Sequence, residues 1–195
     1  MKYRMTILAA WLTGALGATP VLADGTAAVV QRDVNQQERI EQGLKSGQLN
    51  TKEAGRLERD ESHIDRMESN ALKDGNLNAA EKARIERAEN QASQDIYQEK
   101  HDAAKGNPDS KSSQRMQGDV QRNINQETRI ENGVKSGQLT DRETGKLERQ
   151  QAHVDHREAH AARDGHVGAS EQAHIKHAEN HASRNIHVKK HNGRP

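Results

Sequence analysis

Large apolar residues are sparse along this chain and recur at helical intervals: Ile40 and Leu44, then Leu57, Ile64 and Ala71, then Ile85, Ala88, Ala92 and Ile96. Such spacings put each set on one face of a helix, with charged residues on the other, and no stretch shows the period-two alternation of a strand. Two signals interrupt the pattern. Ser46-Gly47 and Asp74-Gly75 are each followed at the same distance by Leu, then Asn, then Glu three residues on (Leu49, Asn50, Glu53; Leu77, Asn78, Glu81). Gly ends a helix in the left-handed conformation, and Asn with Glu three residues later opens the next one as a capping box. The pattern predicts three helices, near 32–45, 50–73 and 79–101, joined by two tight turns.

The unit then repeats. Residues 30–101 align with 120–191 at a constant offset of 90 without a gap, and 37 of these 72 positions are identical, so a second set of three helices is expected. Between the copies lie Gly106, Asn107-Pro108 and the serines Ser110, Ser112 and Ser113, which read as a flexible linker. The fold expected is all-α: two tandem three-helix units, 24–103 and 119–195, joined by a linker over 104–118. Residues 1–23 read as a signal peptide. Lys2 and Arg4 precede an apolar run from Met5 to Ala18, and Val21-Leu22-Ala23 fits a cleavage site near Ala23. The run is too short and glycine-broken for a permanent anchor, so export to the periplasm (or secretion) without stable membrane insertion is the expectation.

The Gly-centred turns resemble the second half of an EF-hand calcium loop. With Asn70 as position one, Asp74 falls at five, Gly75 at six, Leu77 at eight and Glu81 at twelve; Asp164, Gly165, Val167 and Glu171 fit the same frame. The resemblance implies helix-turn-helix pairs and calcium as a ligand. The first half departs from it: position one is Asn70 or His160 and position three Leu72 or Ala162, where the family carries oxygen ligands. Calcium is therefore the lesser expectation, and helix capping accounts for the same residues.

Composition narrows the chemistry. The chain has no cysteine, so disulfides, thiolate ligands and thiol catalysis are excluded. Charged residues make up 30% with a net charge of +1, which gives no global reason to expect nucleic acid or acidic membranes as partners. No nucleophile–base pair, phosphate loop or zinc-hydrolase helix motif is visible, and an enzyme is not expected.

The histidines carry the strongest signal. Of 11, nine lie between His153 and His191. His153, His156 and His160 stand at i, i+3, i+7 on the second helix of the second unit. His174, His177 and His181 repeat that spacing on its third helix, and His187 with His191 add an i, i+4 pair. Seven of the nine replace Arg66, Asn70, Asn76, Arg84, Arg87, Gln91 and Tyr97 of the first unit. Residues three or four apart share a helix face, and neutral imidazole ligates Cu²⁺, Zn²⁺, Ni²⁺ and Co²⁺. The expected metal ligands are therefore His153, His156, His160, His174, His177, His181, His187 and His191, with Asp155, Glu158 and Glu179 as nearby oxygen ligands or supporting partners. A hairpin turning near Gly165 would set His160 level with His174 and His153 level with His181. The function expected is binding of transition metal ions for sequestration, buffering or delivery. The alternatives are a non-catalytic helical interaction or envelope-stress module, with an envelope protein as partner, and a degenerate EF-hand-type calcium-binding protein.

Overall fold

The computed structural model describes residues 21–193, with side chains from Gly25. The expected signal segment lies outside them except for residues 21–23, which are in the first turn of α1. The described residues are all helical, without a strand: α1 (Val21–Ser46), α2 (Thr51–Ala71), α3 (Ala79–His101), α4 (Lys111–Lys135), α5 (Asp141–Ala161) and α6 (Ala169–Lys190). A single 3₁₀ turn extends α2 (Leu72–Asp74) and another extends α5 (Ala162–Asp164).

The turns are built as the capping signals require. Gly47 (φ 73°), Gly75 (φ 88°), Gly137 (φ 70°) and Gly165 (φ 89°) hold the left-handed conformation. The Asn50 side-chain oxygen accepts from the Lys52 and Glu53 N–H groups at 3.0 Å each, while the Asn50 N–H donates to Glu53 Oε2 at 2.9 Å. Asn78 with Glu81 and Thr140 with Glu143 form the same reciprocal box. Gly168 has no side chain, and only the return bond remains there, from its N–H to Glu171 Oε2 at 2.8 Å.

The two copies pack on each other as well as within themselves. The main inter-copy contacts are α2 against α5 and α1 against α4. They are reciprocal. A Cβ on Gly55 would sit 2.5 Å from Ala162 Cβ, and one on its equivalent, Gly145, would sit 2.8 Å from Leu72 Cβ. Early α2 thus meets late α5 and the reverse, so the helices are antiparallel about a pseudo-twofold axis. Ser62 Oγ donates across this axis to the carbonyl of Ala152, the residue at its own equivalent position, at 2.8 Å. Inside each copy the third helix is tied to the first by matching bonds: Arg32 to Asn90 and Arg122 to Asn180, both 2.7 Å, and Arg39 to Ser93 and Arg129 to Ser183, 2.6 and 2.7 Å.

The connection between copies is shorter than the linker expected over 104–118. Lys111 already begins α4, capped by Ser110 Oγ, which accepts from the Ser113 N–H at 3.1 Å. The Gly106 N–H donates to the Gly47 carbonyl at 3.0 Å, and a Cβ on Gly106 would come within 2.2 Å of the Leu49 carbonyl oxygen. The Gly and Pro that suggest flexibility instead allow close seating against the α1–α2 turn. The serines cap and extend the next helix.

Candidate metal centres

All eight expected ligand histidines are exposed. His153, His156 and His160 on α5 and His174 on α6 line one open cleft of about 470 Å³, together with Arg157 and Glu171. His160 and His174 thus face the same space, as the hairpin reading requires. His156 is held below the ordinary imidazole range by partial burial, then by the positive charge of Arg66 and the neighbouring His160 and His153. The shift favours the neutral, ligating form.

The other four histidines lie off this cleft. His181 Nδ1 is 3.2 Å from the Asn185 amide nitrogen, which donates to Gln150 of α5 at 2.8 Å. The rings of His187 and His191 lie against each other at a tilt of 33°, centres 4.3 Å apart. Among the described residues, no histidine belongs to a set of three ligating side chains whose donor atoms lie within 4.8 Å of one another.

The first copy carries the same cleft without the imidazoles. It measures about 230 Å³ and is lined by Met67, Asn70, Ala71, Glu81, Arg84 and Ile85, which are the equivalents of Arg157, His160, Ala161, Glu171, His174 and Ile175.

The residues that match a calcium loop are engaged in the turns. Asp74 Oδ1 accepts from the Asn76 N–H and Asp164 Oδ1 from the His166 N–H, both at 2.9 Å, while Glu81 and Glu171 return to the helix-capping N–H groups.

Asp155, Glu158 and Glu179 are not beside the histidines. They are buried on the opposite helix faces, 2%, 0% and 0% exposed. They belong to an acidic interior that the sequence reading missed. On α2, Glu58, Glu61, Asp65 and Glu68 all point inward; so do Glu148, Asp155 and Glu158 on α5, Asp33 on α1 and Glu127 on α4. The legible signal was their spacing. Residues 58, 61, 65 and 68 recur at i, i+3, i+7, i+10, in register with the inward Leu57, Ile64 and Ala71, so an inward stripe defined by any residue type would have included them.

Among the described residues, three fully buried sets of carboxylates have ligating oxygens within 4.8 Å of one another, Glu58–Asp155–Glu158, Asp65–Glu127–Glu148 and Asp33–Glu68–Glu89, and a fourth, Glu53–Glu99–Asp102, reaches the surface. Burial, then the charges of Glu127, Glu68 and Asp155, holds Glu148 well above the carboxylate range. Burial likewise pushes Glu58 to about 7 and Glu127 to about 8. Glu89 and Glu179 each meet an arginine, Arg32 at 3.0 Å and Arg122 at 3.1 Å, and among the described residues no salt bridge reaches the other carboxylates of these three buried sets. Comparison with protein families, with curated proteins and with solved structures returned no match to this chain.

Proposed function

We propose that this is an exported protein that binds divalent transition metal ions (Cu²⁺, Zn²⁺, Ni²⁺ or Co²⁺) at the histidine-lined cleft of its second copy and so sequesters, buffers or delivers them. One observation carries the reading: an equivalent cleft occurs in both copies, and only the second is furnished with imidazoles, His160 for Asn70 and His174 for Arg84, with His153 and His156 beside them. His156, His160 and His174 are the central ligands in this proposal, with His153 at the rim. The pair His187–His191 offers a weaker second position, two imidazoles one helical turn apart.

Divalent nitrogen sites favour copper over its neighbours in the first-row series, so Cu²⁺ is expected to bind most tightly of the four. Protons compete for imidazole, and affinity should fall as pH drops below about 6.5.

The test uses the whole chain from Asp24, because α2 and α5 cover each other and neither copy is isolated by cutting at the connection. Equilibrium dialysis against each metal is compared between the wild type and the double variant His160→Asn, His174→Arg, which installs the first copy's residues in the second copy's cleft. Affinity should fall at least tenfold in the variant, which is about 1.4 kcal/mol. Equal uptake by both proteins would remove the cleft as the site, and no uptake by either would leave the helical interaction module as the better reading.

A further inference from the structure

A separate centre is inferred from the interior, independent of the histidine cleft. We infer that the two carboxylate triads flanking the pseudo-twofold axis, Glu58–Asp155–Glu158 and Asp65–Glu127–Glu148, form a paired site for hard divalent cations, Ca²⁺ or Mn²⁺, bound through oxygen atoms alone.

The geometry comes first. Glu58 is the repeat equivalent of Glu148, and Asp155 of Asp65, so the two triads share a plan and differ in their third member. They draw on α2, α4 and α5, and the Asp155 carboxyl lies within hydrogen-bonding reach of Asp65, joining one triad to the other. Ligating oxygens within 4.8 Å of one another match a common cation, because ion–oxygen distances of about 2.3–2.6 Å separate opposite ligands by roughly 4.6–5.2 Å. The donors are all carboxylates, without imidazole or thiolate, which selects oxygen-seeking cations over copper or zinc.

A second observation points to a ligand. Two neutral amides are fixed against the first triad by their own N–H groups. Gln37 Nε2 donates to Glu58 Oε2 at 3.0 Å, and Asn123 Nδ2 donates to Asp155 Oδ1 at 3.1 Å and Glu158 Oε2 at 2.9 Å. Both side chains are buried, 3% and 1% exposed, and both carbonyl oxygens, Gln37 Oε1 and Asn123 Oδ1, have no partner. Amides so placed orient the carboxylates, as supporting residues do around bound ions, while Glu58 Oε1, Glu158 Oε1 and both oxygens of Glu148 remain buried without a partner. Burying acceptors without donors is strongly unfavourable, and a cation satisfies several at once.

The repeat comparison agrees. At three buried pairs of equivalent positions, one copy has a carboxylate and the other an amide of similar shape: Asp33 and Asn123, Glu61 and Gln151, Glu127 and Gln37. Each pair keeps an oxygen donor in both copies and carries one charge between them. An interior selected only for packing has no need of oxygen at these positions.

Because the centre is enclosed, cations are expected to enter as the chain folds. The chain is unfolded in guanidinium with chelator, freed of metal, and refolded at pH 7.5 with Ca²⁺, with Mn²⁺ or with neither. Retained metal is measured after desalting, and Tm is measured with the ion added back in excess. Three proteins are compared: wild type, the cleft variant His156→Asn/His160→Asn/His174→Arg, and the interior variant Glu148→Gln/Asp155→Asn. Wild type and the cleft variant should retain about two ions of at least one of the two metals per chain. Each should gain roughly 5–10 °C in Tm at a hundredfold excess over Kd. The interior variant should retain fewer than one ion and show no gain, while its metal-free Tm should exceed that of the metal-free wild type, because two repelling groups have become neutral. That rise shows that the variant has folded, so its loss of metal is not a loss of structure. The inference is overturned if refolded wild type retains neither ion, if the interior variant retains them as wild type does, or if the cleft variant loses them.

Discussion

Glu61 isolates the cost of the acidic interior in one side chain. It is 1% exposed, neither carboxylate oxygen has a partner, and it lies outside both inferred triads. Burial first, then the charges of Glu58, Asp155, Glu68 and Asp60, raises it well above the carboxylate range. A folded-state value above the unfolded one means that the folded chain holds the proton more tightly. The associated stability is complete below the unfolded pKa, near 4.3, and is lost as pH rises above it. Gln151 already stands at the equivalent position of the second copy. Glu61→Gln is therefore expected to stabilise the metal-free chain by about 1–3 kcal/mol at pH 8 and by little at pH 4.5. Urea unfolding at the two pH values reads the difference. An equal effect at both would mean that the side chain acts through packing rather than charge.

At the scale of elements, the glycines separate close helix contact from open helix surface. Gly55 is at the α2–α5 crossing, where a Cβ would come 2.5 Å from Ala162 Cβ, whereas Gly118 in α4 has nothing within 4 Å of an added Cβ. Alanine favours a helix by about 1 kcal/mol over glycine. Gly118→Ala should therefore gain about 0.5–1 kcal/mol, while Gly55→Ala should lose on the order of 1–3 kcal/mol as the crossing is forced apart. Thermal unfolding of both variants checks the pair of signs, and an unchanged Gly118→Ala would argue for a linker at 111–118 after all. These positions also show what the sequence made legible. Caps and turns could be placed from Asn50, Glu53, Gly75 and Thr140 because each signal is local and acts through its own backbone. Gly106, Pro108 and Ser112 misled because their partners are remote: Ser112 Oγ accepts from the buried Val167 N–H at 2.8 Å, 55 residues away. The inward carboxylates stayed hidden for a different reason. A stripe traced through apolar residues alone assigns Asp155 and Glu158 to the histidine side, although their helical phase follows Val154 and Ala161, both buried.

For the molecule as a whole, the acidic interior should invert the familiar response to pH. Carboxylates paired with cations are depressed and make proteins fail in acid. Here Asp119 is pushed to about 6, Glu58, Glu89 and Glu179 to about 7 and Glu127 to about 8, in each case chiefly by burial. All lie above the ordinary unfolded values of about 4, so the folded chain binds the additional protons between about pH 4 and pH 8. Each such group removes up to about 1.4 kcal/mol of stability per pH unit over that window. The arginines beside Glu89 and Glu179 reduce their share. In chelator, the urea midpoint should therefore be higher at pH 5 than at pH 8, with the fall under way from pH 5 and levelling off as pH passes the folded values near 7 to 8. A cation in the interior replaces the protons and reverses the slope, since binding then strengthens as the carboxylates ionise. The histidine cleft would add the same direction of change when loaded with a transition metal, so the measurement belongs on the cleft variant supplied with Ca²⁺ or Mn²⁺. A midpoint that rises with pH only in their presence requires ionised interior carboxylates. A midpoint that rises from pH 5 to pH 8 without any cation would mean that these side chains are ionised and solvated, and that the bundle does not close over them.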